Sequence, residues 1–115
     1  MNENTIFDKI IRREIPADIV FEDDICLAFR DIQPQAPIHI LVIPKRVIAG
    51  VQYATHDDMN LLGHLLIAAK QIAEEQSISA DGYRLAINAG EHGGQTVEHL
   101  HIHLLGGRPM QWPPG

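Results

Sequence analysis

The spacing of apolar and polar residues changes along the chain, and each spacing predicts a different element. At the start, Thr5 followed by Asp8 matches a capping box, which predicts a short helix ending near Glu14. The apolar stripe of that helix comprises Ile6, Phe7, Ile10 and Ile11. A second, longer helix is predicted over residues 57–76, where one face collects Leu61, Leu62, Leu65, Leu66, Ala69, Ile72 and Ala73.

Segments rich in β-branched residues predict strands around these helices. "DIVFEDDICLAFRDI" indicates two strands joined by a tight turn at Asp23 and Asp24, and the apolar run "IHILVIP" indicates a strand covered on both faces. "YRLAIN" and "VEHLHIHLL" are further strands, separated by the glycine-rich loop "AGEHGGQT" and followed by the irregular tail "GGRPMQWPPG". These elements predict an α+β domain with a mainly antiparallel sheet and two helices covering one face.

Length, charge and cysteine content narrow the function classes. A chain of 115 residues suits one compact domain, and a net charge of −6 argues against long DNA or RNA as a partner. Cys26 is the single cysteine and lies in an apolar run, which predicts a buried thiol. The sequence shows neither a signal-peptide pattern nor an apolar run long enough for a bilayer, so we expect a cytoplasmic protein that binds no membrane.

The most informative motif is "EHLHIHLLGG", in which His99, His101 and His103 occupy every second position. On a strand these side chains share one face, while Leu100, Ile102 and Leu104 point into the core on the other. A lone histidine there would be read as part of a solvated surface. Three in register, soon after a glycine loop, favour a functional site.

Metal binding is one alternative for the three histidines. On an extended strand the outer two Cα atoms lie roughly 13 Å apart, so the three rings do not converge easily on one ion. A metal site would need two of them with outside help, such as His39. Chemistry on phosphorus is the stronger alternative, because neutral imidazole is a nucleophile and its neighbours stabilise phosphoryl charge. Gly93, Gly94 and Thr96 would supply backbone N–H groups and a hydroxyl for an anion.

The residues "HLHIHLL" match the histidine triad pattern, and the rest of the chain resembles the Hint branch of the histidine triad (HIT) superfamily. The resemblance runs from "IFDKIIRREIP" through "YRLAINAG" to the ending "GGRPMQWPPG", which is typical of Hint proteins. It implies an α+β HIT fold with a five-stranded sheet, pairing into a homodimer with a continuous sheet. Residues 1–115 would form one HIT domain, whose tail, about 106–115, reaches the partner subunit's site.

The resemblance also implies an activity. Hint proteins are purine nucleoside phosphoramidases, hydrolases that cleave P–N bonds of AMP or GMP derivatives through a nucleotidyl-histidine intermediate. By resemblance His101 is the nucleophile, and His103 contacts the phosphoryl oxygens. His99 orients the site and pairs with His39, which is the only polar residue of its apolar strand. Neither a cofactor nor a metal is implied.

The remaining site residues are also assigned by resemblance. Asp31 would accept hydrogen bonds from the ribose hydroxyls, although its position before Pro34 also suits a turn aspartate. Trp112 would help the partner subunit choose its leaving group. The phosphate contacts would be Asn88, Gly94 and Thr96, and the apolar purine contacts Ile6, Phe7, Ile10, Ile15, Phe29 and Ile32. No catalytic part is assigned to His56, His64 or His92, which are expected on the surface or the long helix.

Three other functions are compatible with the same residues. A non-catalytic purine nucleotide-binding regulatory protein, in which AMP or GMP occupancy tunes contacts with a larger partner, would not require every histidine. A metal-dependent hydrolase would lose activity on chelation. A dinucleoside polyphosphate hydrolase is chemically close, but it fits the tail less well.

Overall fold

Residues 5–115 are described by a computed structural model, and residues 1–4 of the predicted domain lie outside that range. The elements in chain order are α1 (Ile6–Ile11), β1 (Ile19–Glu22), β2 (Cys26–Arg30), β3 (Ile38–Pro44), α2 (Met59–Glu75), β4 (Tyr83–Ala86) and β5 (Ile102–Gly106). Two short 3-10 helices, Val51–Tyr53 and His56–Asp58, lie between β3 and α2. The strands form one antiparallel sheet in the order β1-β2-β3-β5-β4. The predicted α+β class, with a five-stranded sheet and two helices, is confirmed.

Helix α1 begins as the capping box predicts and ends sooner than expected. The Thr5 hydroxyl accepts a hydrogen bond from the Asp8 amide, and the Asp8 carboxylate accepts one from the Thr5 amide. The helix stops at Ile11 rather than near Glu14, because Arg13 adopts a left-handed conformation with φ of 62°. The reversal directs the chain towards β1 and leaves α1 only six residues long.

The two helices cover opposite faces of the sheet, so the expectation that both would cover one face is wrong. Helix α2 packs Leu65 and Ile72 against one face, where the core includes Ala28, Ile40, Val42, Leu100, Ile102 and Leu104. Helix α1 packs on the other face against Leu27, Phe29, Leu41 and Ile43. Neighbouring strand residues point to opposite faces, so β2 and β3 supply both cores and β3 is covered on both sides, as predicted.

The helix α2 stripe differs from the prediction at two positions. Leu66 is 44% exposed, whereas Ala68 is 3% exposed and belongs to the core. The buried face is therefore lined by smaller side chains than the sequence suggests, because Ala68 replaces Leu66 in it. Cys26 is fully buried in this core, as expected, and burial raises the pKa of its thiol to about 12.

Strand β5 is shorter than predicted, and this changes the setting of the histidines. It begins at Ile102, so His99 and His101 precede it and only His103 lies within it. The pairing stops there because β3 ends at Pro44, which has no N–H, and the Pro44 carbonyl accepts from the His99 ring instead. The amide of Leu100 bonds to the Ile48 carbonyl, beyond the strand. The alternation survives, because Leu100, Ile102 and Leu104 are all buried as predicted.

Within residues 5–115, neither helix combines the length and the hydropathy that a membrane crossing requires.

Candidate active site

A cavity of about 500 Å³ opens on the α1 side of the sheet, where that short helix leaves the strands partly uncovered. It collects the sequence-predicted site residues with three exceptions, Gly93, His99 and Trp112. Those that line it are Ile6, Phe7, Ile10, Ile15, Phe29, Asp31, Ile32, His39, Asn88, Gly94, Thr96, His101 and His103. The fold thus brings together residues from both ends of the chain at one place.

His39 and His103 form a hydrogen-bonded pair whose tautomers follow from their partners. The amide of Gln35 donates to Nδ1 of His39 (3.0 Å), so this nitrogen is an acceptor. The proton of neutral His39 is then on Nε2, which lies 2.9 Å from Nδ1 of His103 and donates to it. The remaining nitrogen of neutral His103, Nε2, therefore carries a proton and is a donor.

His101 has the opposite arrangement. Its Nδ1 lies 2.7 Å from the carbonyl oxygen of His99, and because a carbonyl only accepts, Nδ1 carries the proton. Nε2 of neutral His101 is then unprotonated and has a free lone pair. The His101 and His103 rings are 4.9 Å apart, so a nucleophilic nitrogen and a donor nitrogen come from adjacent rings.

Burial keeps these rings neutral. It lowers the pKa of His103 to about 4, and the neighbouring His101 and His39 add to the effect. Burial also lowers the pKa values of His101 and His39, while Asp31 partly opposes this in both. At neutral pH the cluster is thus composed of uncharged imidazoles, as the tautomers above require.

The partner of His39 differs from the one that the resemblance implies. His39 pairs with His103, which lies on β5 diagonally across from it and opposite Leu41, and not with His99. His99 is fully buried and bonds through Nε2 to the Pro44 carbonyl oxygen (2.8 Å), while its Nδ1 lies 3.6 Å from Oδ1 of Asp8. Because β5 begins only at Ile102, His99 lies before the strand and behind the cavity, so the expectation of three histidines on one open face is wrong.

Asp31 serves the turn after β2 and also lines the cavity. Its Oδ1 accepts the amide of Gln33 at 2.8 Å, which is the turn role that the sequence suggests. Its Oδ2 lies 3.5 Å from Nε2 of His39. Each carboxylate oxygen can accept more than one hydrogen bond, so the turn role leaves capacity for a ligand.

The apolar end of the cavity surrounds Phe7. Its ring meets Phe29 edge-on at 5.5 Å and His101 at 5.1 Å, which ties helix α1 to the histidines. Ile32 is 89% exposed on the rim, so it can cover a flat ligand from the solvent side but does not belong to the core. The wall around Phe7 is therefore already packed without a ligand, and the opposite wall at Ile32 is open to solvent.

The glycine-rich loop is closed largely upon itself. Gly90 and Gly94 have positive φ values, and the Gly94 amide donates to the Glu91 carbonyl (3.0 Å). That amide is already paired, unlike the free anion donor that the sequence suggests. Gln95 holds the loop, because its side chain accepts from the Gly90 amide and donates to the Ala49 carbonyl.

Trp112 lies away from this cavity within the chain. It is 83% exposed and lines a separate cavity of about 810 Å³ between β4 and the tail. His56 and His92 are exposed and His64 lies on α2, where it bonds to Asp23. As expected, none of these three histidines lines the cavity of the triad.

Sequence reasoning missed several residues at this site. Gln35 fixes the His39 tautomer through its main chain, and a main-chain contact has no side-chain signal in the sequence. Gln95 braces the loop, and Leu41 lines the cavity, as the two-residue spacing from His39 on β3 would have indicated. The sequence predicts only a capping role for Asp8, yet its carboxylate also lies beside the His99 ring.

Comparison with known proteins identifies relatives of this chain. The HIT domain family matches residues 12–110. An uncharacterized HIT-like protein of Synechococcus elongatus is 65% identical over the full length of both chains, and the purine nucleoside phosphoramidase of Escherichia coli is 56% identical over 96% of this chain and 92% of its own. The crystal structure of a HIT family hydrolase from Legionella pneumophila superposes with a TM-score of 0.95 at 54% identity, covering 97% of this chain and 100% of that one. The chain therefore belongs to the HIT family.

Proposed function

We propose that the protein is a HIT-family nucleotide hydrolase that cleaves the P–N bond of purine nucleoside phosphoramidates and releases AMP or GMP. The observation that carries this proposal is the state of His101, whose Nδ1 is bonded to a carbonyl and whose Nε2 is free. The name of the Escherichia coli relative, purine nucleoside phosphoramidase, supports the same reaction class.

The reaction divides into two displacements at phosphorus. In the first, Nε2 of His101 attacks, a P–N bond to the histidine forms, and the P–N bond to the substrate amine breaks as that nitrogen takes up a proton. His103, with a proton on Nε2, donates to the phosphoryl oxygens or to the leaving nitrogen. In the second, water attacks phosphorus and loses a proton, and neutral His101 leaves. The sum is hydrolysis to an amine and a nucleoside monophosphate.

The cavity offers separate places for the parts of a nucleotide. Phe7 and Phe29 form the packed wall for a purine, and Ile32 on the rim covers the other side of the ring. Asp31, between this wall and the histidines, accepts from the ribose hydroxyls. Asn88, Gly94 and Thr96 line the phosphate end together with His101 and His103.

We also propose that two copies join along β4 into a homodimer with a continuous sheet. Strand β4 pairs only with β5 among residues 5–115, so its other edge is open. An open edge invites a second strand. Arg84 on β4 donates to the Gln111 carbonyl (2.8 Å), which holds the tail and Trp112 beside that edge, towards a partner's site. Light scattering after gel filtration should give the mass of two chains, and a monomer mass would contradict this.

The experiment that tests the activity is capture of the intermediate. Protein mixed with adenosine phosphoramidate is quenched in alkaline denaturant during turnover, digested and analysed by mass spectrometry. We expect a nucleotidyl adduct on His101. The matched control is His101→Ala, which should bind AMP but form neither adduct nor product. Undiminished turnover by that variant contradicts the mechanism.

A metal-dependent hydrolase is the second candidate, because one observation favours it. Asp31, His39 and His103 each offer a ligand atom within 4.8 Å of the others. A bound ion would replace the proton between His39 and His103, so the two mechanisms are exclusive at this pair. Turnover that survives exhaustive chelation supports the nucleophilic histidine, and turnover that zinc restores supports the metal.

Turnover of adenosine phosphoramidate also distinguishes the two remaining functions, the regulatory nucleotide-binding protein and the dinucleoside polyphosphate hydrolase. A regulatory nucleotide-binding protein would bind AMP without releasing amine from the phosphoramidate. A dinucleoside polyphosphate hydrolase would prefer diadenosine polyphosphates in direct competition. We expect the phosphoramidate to have the higher kcat/KM.

A further inference from the structure

One nitrogen of the His99 ring has no hydrogen-bond partner among residues 5–115, although the ring is fully buried. Its Nε2 is satisfied by the Pro44 carbonyl oxygen. Its Nδ1 faces Oδ1 of Asp8 at 3.6 Å, which is close but longer than a hydrogen bond. Buried polar atoms without partners are rare in native proteins, so the contact between Asp8 and His99 requires a physical reason.

Helix capping accounts for only one of the two oxygens of the Asp8 carboxylate. Oδ2 accepts from the amide of Thr5 (3.1 Å) and from its hydroxyl (3.0 Å). Oδ1 has no part in the cap and is directed at the His99 ring. Asp8 is 3% exposed, and a carboxylate that is withdrawn from water to this degree needs a donor or a positive charge beside it.

The tautomer of His99 shows that a proton is needed between its Nδ1 and Oδ1 of Asp8. Because the Pro44 carbonyl only accepts, Nε2 of His99 carries a proton. If Nδ1 carried none, its lone pair would face a carboxylate lone pair in a buried place, and neither atom would have a donor. A proton between Nδ1 and Oδ1 satisfies both atoms.

We propose that Asp8 and His99 hold a buried proton between them as an ion pair, and that Asp8 is thereby a positioning residue for the nucleophile His101. The inference rests on the proposed function for its kinetic part, and on geometry alone for the proton. Asp8 touches none of the reacting atoms; it acts through His99.

Two contacts carry the effect of Asp8 to His101. The His99 main-chain carbonyl fixes Nδ1 of His101 at 2.7 Å, so fixing His99 fixes the tautomer of the nucleophile. The Phe7 ring lies edge-on against both rings, at 6.0 Å from His99 and 5.1 Å from His101, and Phe7 precedes Asp8 on α1. Burial lowers the pKa of His101 most, and the hydrogen bond to the His99 carbonyl raises it. A positive charge on the His99 ring lowers it further by a smaller amount.

The first test is spectroscopic and needs no activity. Histidine nitrogens are labelled with 15N, and the His99 signal is identified by its loss in His99→Gln. We expect both ring nitrogens of His99 to carry protons at neutral pH. In Asp8→Asn, the amide can donate to Nδ1, so the ring should keep its place with Nδ1 unprotonated. An unprotonated Nδ1 in the wild-type protein overturns the proposal, whatever the activity.

The second test is the pH dependence of kcat/KM on adenosine phosphoramidate. Asp8→Asn removes the positive charge on His99, so the pKa of His101 rises and the acid limb should move up by about 0.5–1 pH unit. Asp8→Ala also frees the His99 ring, and kcat should fall about tenfold while KM changes less than about twofold.

Thr5→Ala is the matched control for a purely structural role. It removes the hydroxyl of the cap but keeps the carboxylate beside His99. We expect a lower Tm with an unchanged acid limb and kcat. If Asp8→Asn also changes only Tm, Asp8 is a cap and the proposal is wrong. If the wild-type protein shows no turnover, the proposed function fails, and the nitrogen spectrum alone decides on the Asp8–His99 pair.

Discussion

The two faces of the sheet are made by alternate residues of the same strands, yet their interiors are of opposite kinds. On the α2 face a helix of 17 residues covers an apolar core. On the α1 face a helix of six residues covers a smaller core and leaves a cavity lined by His39, His101 and His103. The candidate active site thus lies beside the shorter helix, where α1 leaves part of the sheet uncovered and the histidines can reach a ligand.

The largest expected effect comes from Leu104, which lies on the α2 face of β5 and is fully buried. Leu104→Ala should lower the free energy of unfolding by about 3 kcal/mol, because it leaves a cavity in a close-packed core. Urea denaturation measures this. The kcat of the folded fraction should change little, and a large fall in kcat would show that the two faces are not independent.

His103 is the neighbour of Leu104 and lies on the other face. His103→Ala removes the donor beside His101, so we expect kcat to fall about 100-fold, with a change in stability much smaller than that of Leu104→Ala. Steady-state kinetics and urea denaturation of both variants give the comparison. Equal losses of stability at positions 103 and 104 would contradict the division between the faces.

The fold was predictable where each residue's environment is local. The capping box of Thr5 and Asp8, the turn at Asp23 and the fully covered strand β3 all follow from neighbours in the sequence. The position of α1 on the face opposite α2 was not, because the stripe of a helix does not say which face it covers. That choice depends on contacts with Leu27, Phe29, Leu41 and Ile43, which are distant in the sequence.

At the candidate site, too, the sequence did not predict contacts that depend on residues from distant parts of the chain. The motif and the resemblance predicted the residues that line the cavity, but not the partner of His39. That partner depends on the register between β3 and β5, in which His103 lies opposite Leu41, next to His39 but not opposite it. The role of His99 depends on where β5 begins, which Pro44 decides from another strand.

The third prediction concerns pH and the buried histidines of the α1 face. Burial, with His101 and His39, lowers the pKa of His103 from 6.5 to about 4 in the folded protein. Between these two pH values the unfolded chain therefore binds more protons than the folded protein. The free energy of unfolding is not reduced by His103 above pH 6.5, and it falls as the pH drops towards 4. We expect a loss of about 2 kcal/mol from His103 between pH 7.5 and 4.5. His103→Gln should reduce this dependence, and an unchanged slope would contradict it.

The smallest expected effect tests a histidine on the α2 side. His64 bonds to Asp23 (2.7 Å) and links α2 to the turn between β1 and β2. Burial would raise the pKa of Asp23, but bonds from the amides of Cys26 and Ile25, and from His64, lower it to about 2. His64→Ala leaves the two amide bonds in place, and both side chains of the pair are about one-third exposed, so the stability loss should be below about 1 kcal/mol.

The turnover of His64→Ala should equal that of the wild-type protein, since His64 is not among the residues that line the cavity of the triad. Asp23→Ala is the matched variant, because it removes the amide bonds as well and should cost more stability than His64→Ala. Chemical denaturation and steady-state kinetics measure both. A fall in kcat for His64→Ala with normal stability would mean that α2 influences the opposite face, because a histidine outside the cavity would then affect the reaction through the sheet.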